Sequence, residues 1–419
     1  MKVPTTIHLE KIDATILSPQ TNDVTRFKVT IPVYGSQDAN KDRMLTPLYA
    51  ELLERGTKSK TRKEFSDVLE TLGAELDVTA DRFGITITGV ALSKTFPTFL
   101  ALVKEMLHEP AFIPKEIGQV HTQYRQALDD ERDNARLLAY NTFTHLLYTR
   151  EHPYYKPTAA ERRAFLASVT RKTYLDFHKK LFTKKIIVSI SGSKTVQKEV
   201  LDLFSSLTKV RDAKSPAVSV VPMHKGEVKY QSVPSKANVE LYIGNALPIT
   251  ITDDTFLAFQ FGLAVLGKWG GFSGRLMSTV REKEGLTYMS YARIEGVTKT
   301  QFGMWYVATF FTPKDLDRGI ASTKREIEKI ATKGITEKEM ESFKELLRNQ
   351  FILAHESDAK ALALYHDTLC AGMDAEEVAA QYDAMQGLQR KDVNKALAQY
   401  LQPDDLVISG AGPVKSLTN

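Results

Sequence analysis

The sequence predicts an α+β fold made of two similar α/β-sandwich halves, each with a mostly antiparallel sheet and helices packed on one face. Residues 83–90 (FGITITGV) alternate apolar with small or polar side chains, which is typical of a half-buried strand. Residues 44–55 and 62–72 carry apolar residues at helical spacing, and each is followed by a glycine that can end a helix. Because a similar order of elements returns after residue 225, the pattern indicates an ancient duplication.

The first half contains further elements in the same alternation. A strand at residues 27–33 precedes the two helices, and a buried strand at residues 185–190 (KIIVSI) ends at Gly192. The predicted helices of this half lie at residues 44–55, 62–72 and 96–107, from about Lys115 onward, and at 171–182.

The second half follows a segment rich in proline and small residues, KVRDAKSPAVSVVPMHK, which we interpret as a linker. We therefore predict a domain at residues 1–208, a linker at 209–225 and a second domain at 226–419. The predicted strands of the second half are 239–243, 287–293, 302–311 and 406–410, and its main helices are 255–266, 274–283, 316–332 and 337–355.

Composition excludes several classes of function. Lys and Arg total 56 against 51 Asp and Glu, so the net charge of +5 is spread thinly over 419 residues. A nucleic-acid binder needs a denser positive field, and we expect no such partner. The single cysteine, Cys370, cannot form an intramolecular disulfide or a cysteine-based zinc site.

Apolar runs are short throughout the sequence. No stretch of 18 apolar residues occurs, so we expect no integral membrane association. The opening MKVPTTIHLEKIDATILSP alternates polar and apolar residues, whereas a signal peptide has an unbroken apolar core. We expect a cytoplasmic protein, or a periplasmic one if a leader has been removed.

The stretch SGRLMSTVREKEGLTYMSYA is the most informative part of the chain. Gly285 is placed to stop a helix that carries Arg281 on its last turn, and Tyr288 then lies on the strand that leaves the turn. An arginine and a phenol that converge form a two-donor site for a carbonyl oxygen or carboxylate of a bound peptide. The alternative is that Arg281 pairs with Glu282 or Glu284 and that Tyr288 packs beneath the strand.

A glycine-rich segment, LGKWGGFSG, precedes this stretch. Its glycines would permit a mobile loop that admits peptides, but we favour a tight turn before the next helix. Trp269 lies at its tip, and if exposed it would mark a contact surface for substrate or for a partner.

Several blocks of the sequence resemble one family in the correct order. GRLMSTVREKEGLTYMSYA looks like the C-terminal-domain signature of the pitrilysin, insulinase and mitochondrial-processing-peptidase family of inverted-zinc-motif metallopeptidases. HPYYKP resembles the family's mid-domain turn, and GITEKEMESFKELLRNQF resembles the long helix of its second domain. The resemblance implies the family's half-clam layout, in which each half consists of a pair of α+β domains.

The family's catalytic centre is a helix with the motif H-x-x-E-H, and a further glutamate ligand lies on the next long helix. Counted back from the Gly-Thr pair at residues 56–57, the motif falls on PLYAE, with Pro47 and Glu51 at the histidine positions and Ala50 at the glutamate position. The downstream ligand aligns with Ala127. Proline is compatible only with an early helical position, so we expect Pro47 to lie near the start of the helix predicted at residues 44–55, and that start to be displaced from the family's.

These departures imply a chain that binds no zinc and performs no hydrolysis by itself. In two-chain bacterial members of the family, one subunit carries zinc and the other carries the Arg/Tyr pair, and this sequence resembles the second kind. The resemblance implies a heterodimer with a zinc-bearing partner, to whose active site Arg281 and Tyr288 contribute substrate contacts. The alternatives are a structural subunit, like the respiratory-complex core proteins of the family, and a peptide-binding homodimer.

Overall fold

The computed structural model describes residues 3–19, 23–33, 39–210, 221–267 and 273–415. The strands in chain order are β1 (Thr5–His8), β2 (Ile12–Leu17), β3 (Val24–Pro32), β4 (Glu75–Ala80), β5 (Gly84–Leu92), β6 (Ile186–Ser191), β7 (Val228–Ser232), β8 (Val239–Leu247), β9 (Ser290–Glu295), β10 (Gly303–Phe311) and β11 (Val407–Gly412). The α-helices are α1 (Ala39–Leu53), α2 (Arg62–Leu72), α3 (Phe96–His108), α4 (Pro114–Asp130), α5 (Ala135–Leu147), α6 (Ala159–Ser168), α7 (Arg171–Leu181), α8 (Lys194–Leu207), α9 (Phe256–Gly267), α10 (Leu316–Lys333), α11 (Glu337–Leu353), α12 (Asp358–Cys370), α13 (Ala375–Gly387) and α14 (Arg390–Tyr400).

The first sheet has six strands in the order β1-β2-β6-β3-β5-β4. Its neighbours are antiparallel except for the parallel pair β2 and β6. Phe27, Val29 and Ile31 alternate along β3 and are fully buried in an apolar core with α1, α3 and α8. Burial of this apolar face is the main stabilising term for the first unit.

The opposite face of the first sheet is polar, yet α12 covers it. Thr30 pairs with Thr86 across β3 and β5, and their hydroxyls lie 2.8 Å apart. His366 on α12 shares hydrogen bonds with the Thr30 hydroxyl at 2.8 Å and the Ser189 hydroxyl at 3.1 Å. The prediction of helices on one face only is therefore wrong, because the polar side chains of this face bind a buried histidine and do not face solvent.

The second sheet has five strands in the order β7-β11-β8-β10-β9, with β7 and β11 parallel and the other pairs antiparallel. Helix α5 packs on β8 and β11, where Phe143 contacts Tyr242. On the other face Trp305 packs edge-on against Phe259 of α9. Both faces of this sheet therefore also carry helices, and β9 lies at its edge.

The chain divides into two compact units that are discontinuous in sequence. The first consists of Met1–Gln126, Ala159–Pro216 and Ile352–Ala380, and the second of Ala127–Thr158, Ala217–Phe351 and Gln381–Asn419. These ranges differ from the predicted 1–208 and 226–419, because each sheet is covered by a helix from the other part of the sequence. The predicted linker at 209–225 falls largely on residues 211–220, outside the described residues.

The α+β fold class is confirmed, with two sheets and helices in two units of similar construction. Element ends differ from the predicted ones by a few residues. The strand predicted from residue 287 begins at Ser290, because residues 285–289 form the turn that precedes it. Across the described ranges, helices are too short or too polar to span a bilayer.

Candidate functional site

The turn that carries Arg281 begins as a π-helical segment, Met277–Lys283. The Glu284 amide donates to the Thr279 carbonyl at 3.0 Å, five residues back, which is the π-helical spacing. Gly285 then takes a left-handed φ of 63°, and its amide donates to the Arg281 carbonyl at 3.0 Å. Gly285 thus ends the helix as the sequence predicts, and the widened last turn sets the direction of Arg281.

Tyr288 lies in the turn before β9 and not on the strand itself. The Thr287 hydroxyl donates to the Met289 carbonyl at 3.1 Å, and the Thr309 hydroxyl on β10 donates to the same carbonyl at 3.2 Å. These two bonds hold the backbone on both sides of Tyr288 against the sheet. The Tyr288 side chain is 67% exposed, so the turn presents a phenol to the outside.

The structure brings Arg281 and Tyr288 together. The Arg281 guanidinium carbon lies 4.9 Å from the centroid of the Tyr288 ring. This distance is that of a cation–π contact, which contributes about 0.5–1 kcal/mol at an exposed site. The Arg281 guanidinium and the Tyr288 phenol therefore share one surface, and both are hydrogen-bond donors of the kind that bind a carbonyl or carboxylate oxygen.

Two parts of the alternative interpretation, the pairing with Glu284 and the packing of Tyr288, differ from the structure. Glu284 forms its ion pair with Arg325 on α10. Tyr288 is the most exposed of the large apolar or aromatic side chains among the described residues, so it does not pack beneath the strand. Glu284, one of the two carboxylates expected to pair with Arg281, is thus bound to a different arginine.

The helix in the position of the zinc motif is α1, and Pro47 lies inside it. The helix begins at Ala39, eight residues before Pro47, so the expectation that Pro47 takes an early helical position is wrong. A proline in a helix interior lacks the N–H that the preceding turn needs. The Thr46 hydroxyl donates to the Asp42 carbonyl at 2.6 Å, which adds a side-chain bond to the same turn.

The middle of the motif is part of the apolar core. Ala50, at the position of the water-activating glutamate, is 2% exposed, and Tyr49 is fully buried. The Tyr49 hydroxyl lies 2.6 Å from His178 Nδ1 on α7. Burial lowers the pKa of His178 to about 4, so this histidine is neutral at physiological pH. The motif helix therefore has packing contacts where a peptidase needs ligands and a base.

Glu51, at the second histidine position, is bound to an arginine. Arg55 lies one turn further along and donates from Nη2 to Glu51 at 2.6 Å and to Gln123 on α4 at 2.9 Å. Its Nη1 donates to Glu116 at 3.2 Å. The Arg55 side chain is only 4% exposed. Sequence reasoning missed Arg55, although its i, i+4 spacing from Glu51 is a recognisable signal.

Two sequence candidates remain, Ala127 and Trp269. Ala127, which aligns with the downstream ligand, is exposed on α4 and has no donor atom for a metal. Trp269 lies within residues 268–272, outside the described residues.

The residues at the motif do not fit zinc. Pro47, Ala50 and Ala127 have no ligand atom, and Glu51 is held by Arg55. Across the described ranges, the His, Cys, Asp and Glu side chains form no group of three or more that is placed to hold a metal ion. Purified protein is expected to contain no stoichiometric zinc by elemental analysis. One tightly bound zinc per chain, with chelator-sensitive peptide cleavage, would contradict this.

Two parts of the sequence match described families. Residues 16–157 match "Insulinase (Peptidase family M16)", and residues 168–347 match "Peptidase M16 inactive domain". The first match includes the altered motif helix, and the second includes the Arg281–Tyr288 turn. Together the two matches account for most of the chain.

Individual relatives agree with these matches. A Helicobacter pylori protein named "Non-peptidase homolog YmxG" is 23% identical over 383 residues, which cover 90% of this chain and 86% of the relative. A Rickettsia bellii protein named "Uncharacterized zinc protease" is 22% identical over 311 residues, which cover 73% and 72%. The crystal structure of a peptidase M16 inactive domain from Pseudomonas fluorescens has the same fold, with a TM-score of 0.85 at 20% identity over 99% of this chain and all of that one. The chain belongs to the insulinase family of peptidases, M16, as a member without the zinc-binding residues.

Proposed function

We propose that this chain is the zinc-free subunit of a heterodimeric zinc peptidase, in which it binds peptide substrate and supplies Arg281 and Tyr288 to the partner's active site. The proposal is carried by the contact between the Arg281 guanidinium and the exposed Tyr288 ring, 4.9 Å apart. Two such donors on one exposed turn suit a ligand that arrives from outside the unit.

In this proposal, Arg281 and Tyr288 stabilise the negative charge that develops on the substrate during hydrolysis. Arg281 donates to a carbonyl oxygen of the bound peptide, and Tyr288 donates to the oxygen that becomes negative during attack on the scissile bond. The attacking water is activated by the partner, because Ala50 offers no base. Donors that bind the transition state more strongly than the substrate raise the rate of the chemical step.

The alternative is a structural or peptide-binding subunit with no part in proteolysis, whether in a heterodimer or a homodimer. The packing of α1 is compatible with it, since Tyr49 and Ala50 serve the core. In that case the contact between Arg281 and Tyr288 would only stiffen the turn. The two functions differ in one measurable respect, which is the effect of the Tyr288 hydroxyl on turnover.

The test is reconstitution with a family member that retains H-x-x-E-H, followed by cleavage of a quenched fluorescent peptide. Tyr288→Phe is expected to lower kcat/KM by about 10²-fold, the scale for losing one donor to a developing oxyanion. Arg281→Ala is expected also to raise KM, because a guanidinium contributes to substrate binding as well. Gel filtration confirms that each variant still assembles.

The matched control is Tyr382→Phe, which removes one hydroxyl from another tyrosine of the same unit. The Tyr382 ring stacks on Phe351 at 4.1 Å, and the substitution keeps that stack. Its turnover is expected to equal that of the wild type. Equal turnover by the wild-type, Tyr288→Phe and Arg281→Ala complexes would decide for the structural alternative.

A further inference from the structure

A cavity of about 540 Å³ lies in the first unit, where the parallel strands β2 and β6 end. The two strands end side by side, since Leu17 pairs with Ser191. Beyond this point β6 continues into α8, whereas β2 continues towards β3. Ligands commonly bind outside the carboxyl ends of parallel strands whose connections diverge in this way. The volume lies within the range of about 300–1,000 Å³ that is typical of small-molecule sites.

One helix brings a positive charge to the cavity. Lys194 is the first residue of α8 and lines the cavity together with Gly192 and Ser193. Lys194 forms no ion pair or side-chain hydrogen bond with the described residues. The backbone amides in the first turn of a helix also lack helical acceptors. This part of the wall therefore suits a carboxylate group of a ligand.

A second helix brings a negative charge to the same cavity. Asp358 is the first residue of α12 and is 9% exposed. Its carboxylate accepts a hydrogen bond from the Ser191 hydroxyl at 3.3 Å. A carboxylate has about four lone-pair sites, so that of Asp358 can also accept from a ligand ammonium group. Because Asp358 is mostly removed from water, such a bond is stronger here than at the surface.

The rest of the wall combines apolar surface with a polar pair. Val3, Ile16 and Leu17 contribute apolar atoms. Tyr365 and His355 also line the cavity, and the Tyr365 hydroxyl lies 2.9 Å from His355 Nε2. These two polar groups bind each other. The charges of Lys194 and Asp358 are therefore expected to select the ligand.

We propose that this cavity binds a short peptide with two free termini, such as a dipeptide. The ammonium group of the peptide binds Asp358, its carboxylate binds Lys194, and its aliphatic side chains contact the apolar part of the wall. A zwitterion is favoured over a simple anion or cation because the cavity holds one fixed charge of each sign, and these do not pair with each other. The Arg281–Tyr288 turn lies in the second unit, so this binding does not rest on the proposed function.

The first experiment measures affinity by isothermal titration calorimetry of the full-length chain. The probes are the dipeptide alanyl-leucine, its N-acetyl form and its C-terminal amide. The N-acetyl form is expected to bind about tenfold more weakly than the dipeptide, because it lacks the ammonium group for Asp358. The amide is expected to bind about threefold more weakly, the scale of an exposed ion pair. A shift of the Gly192 amide signal in NMR spectra during the titration places the dipeptide in the cavity.

The second experiment pairs each capped peptide with the variant that removes its lost contact. Asp358→Asn retains an oxygen that accepts from Ser191, and it is expected to weaken dipeptide binding about tenfold but to leave binding of the N-acetyl form unchanged. Lys194→Gln is expected to weaken dipeptide binding about threefold and to leave binding of the amide unchanged. The matched control is Lys198→Gln, which removes a lysine one turn further along α8, away from the cavity lining. Its affinity for the dipeptide is expected to equal that of the wild type.

Three results would overturn the proposal. The first is the absence of saturable dipeptide binding at millimolar concentration. The second is an N-acetyl form that binds as tightly as the dipeptide, since the cavity would then be a site for anions alone. The third is dipeptide binding that neither cavity variant weakens more than Lys198→Gln does. If Asp358→Asn does not fold, the capped peptides with wild-type protein and the Lys194→Gln variant still decide the question.

Discussion

Replacing Arg55 with leucine is expected to lower the free energy of unfolding by about 3–5 kcal/mol, the range for removing one partner of a buried ion pair. Arg55 is 4% exposed and joins Glu51 and Glu116 on two helices of the first unit. Without the guanidinium, the mostly buried Glu116 carboxylate and the Gln123 amide lose their partner. Urea unfolding at pH 7 measures the effect.

The matched control for Arg55 is Lys63→Leu. Lys63 also pairs with a carboxylate four residues away, Asp67, but both side chains are largely exposed. Solvent screens such a pair, so this variant is expected to unfold at nearly the wild-type urea concentration. Equal stability losses in the two variants would show that burial of Arg55 adds nothing to its ion pairs.

The second large effect concerns His366 and pH. Burial, aided by the nearby Lys28, lowers the pKa of His366 to about 3 from its ordinary value of 6.5. As pH falls through 6.5, His366 becomes protonated in the unfolded chain but stays neutral in the folded chain. The free energy of unfolding therefore falls as pH falls below 6.5. From pH 7 to pH 5 this residue alone is expected to remove about 2 kcal/mol.

The measurement compares wild type with His366→Gln at pH 7, 6 and 5. The comparison is needed because Glu54 has the opposite effect. Burial raises the pKa of Glu54 to about 7, so its protonation stabilises the folded chain over the same acid range and offsets the effect of His366. Glu54 is present in both proteins, so its contribution cancels in the difference. The advantage of wild type over the variant is expected to shrink by about 2 kcal/mol by pH 5. A difference that does not change with pH would contradict the assigned protonation state.

The alternation of apolar and polar residues in strands, and the helical spacing of apolar residues, predict the fold class because they indicate which side chains are buried and which are exposed to water. FKVTI on β3 and FGITITGV on β5 identify their strands in this way, and the glycines after α1 and α2 mark where those helices end. The same pattern wrongly predicts that the polar face of the first sheet is exposed to solvent. In the sequence, a hydroxyl that binds a buried histidine cannot be distinguished from one that binds water. Helix α12 was therefore not expected on this face.

The candidate site could be predicted only where a local signal was present. Gly285 marks the end of a helix, and that was enough to bring Arg281 near Tyr288. The π-helical turn has no comparable sequence signal. The pairing of Glu284 with Arg325 depends on two segments 41 residues apart, and sequence spacing does not define such a contact. The prediction that Pro47 lies early in its helix is wrong, because the helix begins at Ala39 and continues through the proline, where a side-chain bond from Thr46 supplements the interrupted turn.

The cover of the first sheet has a consequence for synthesis on the ribosome. The sheet's last strand ends at Ser191, but α12 begins at Asp358, so the intervening chain must be translated first. At roughly 5–20 residues per second, this takes on the order of ten seconds. During that interval the hydroxyls of Thr30, Thr86 and Ser189 can form hydrogen bonds with water. The face of the nascent sheet that α12 later covers is therefore hydrophilic while it is exposed. An apolar face left open for as long would invite aggregation before translation ends.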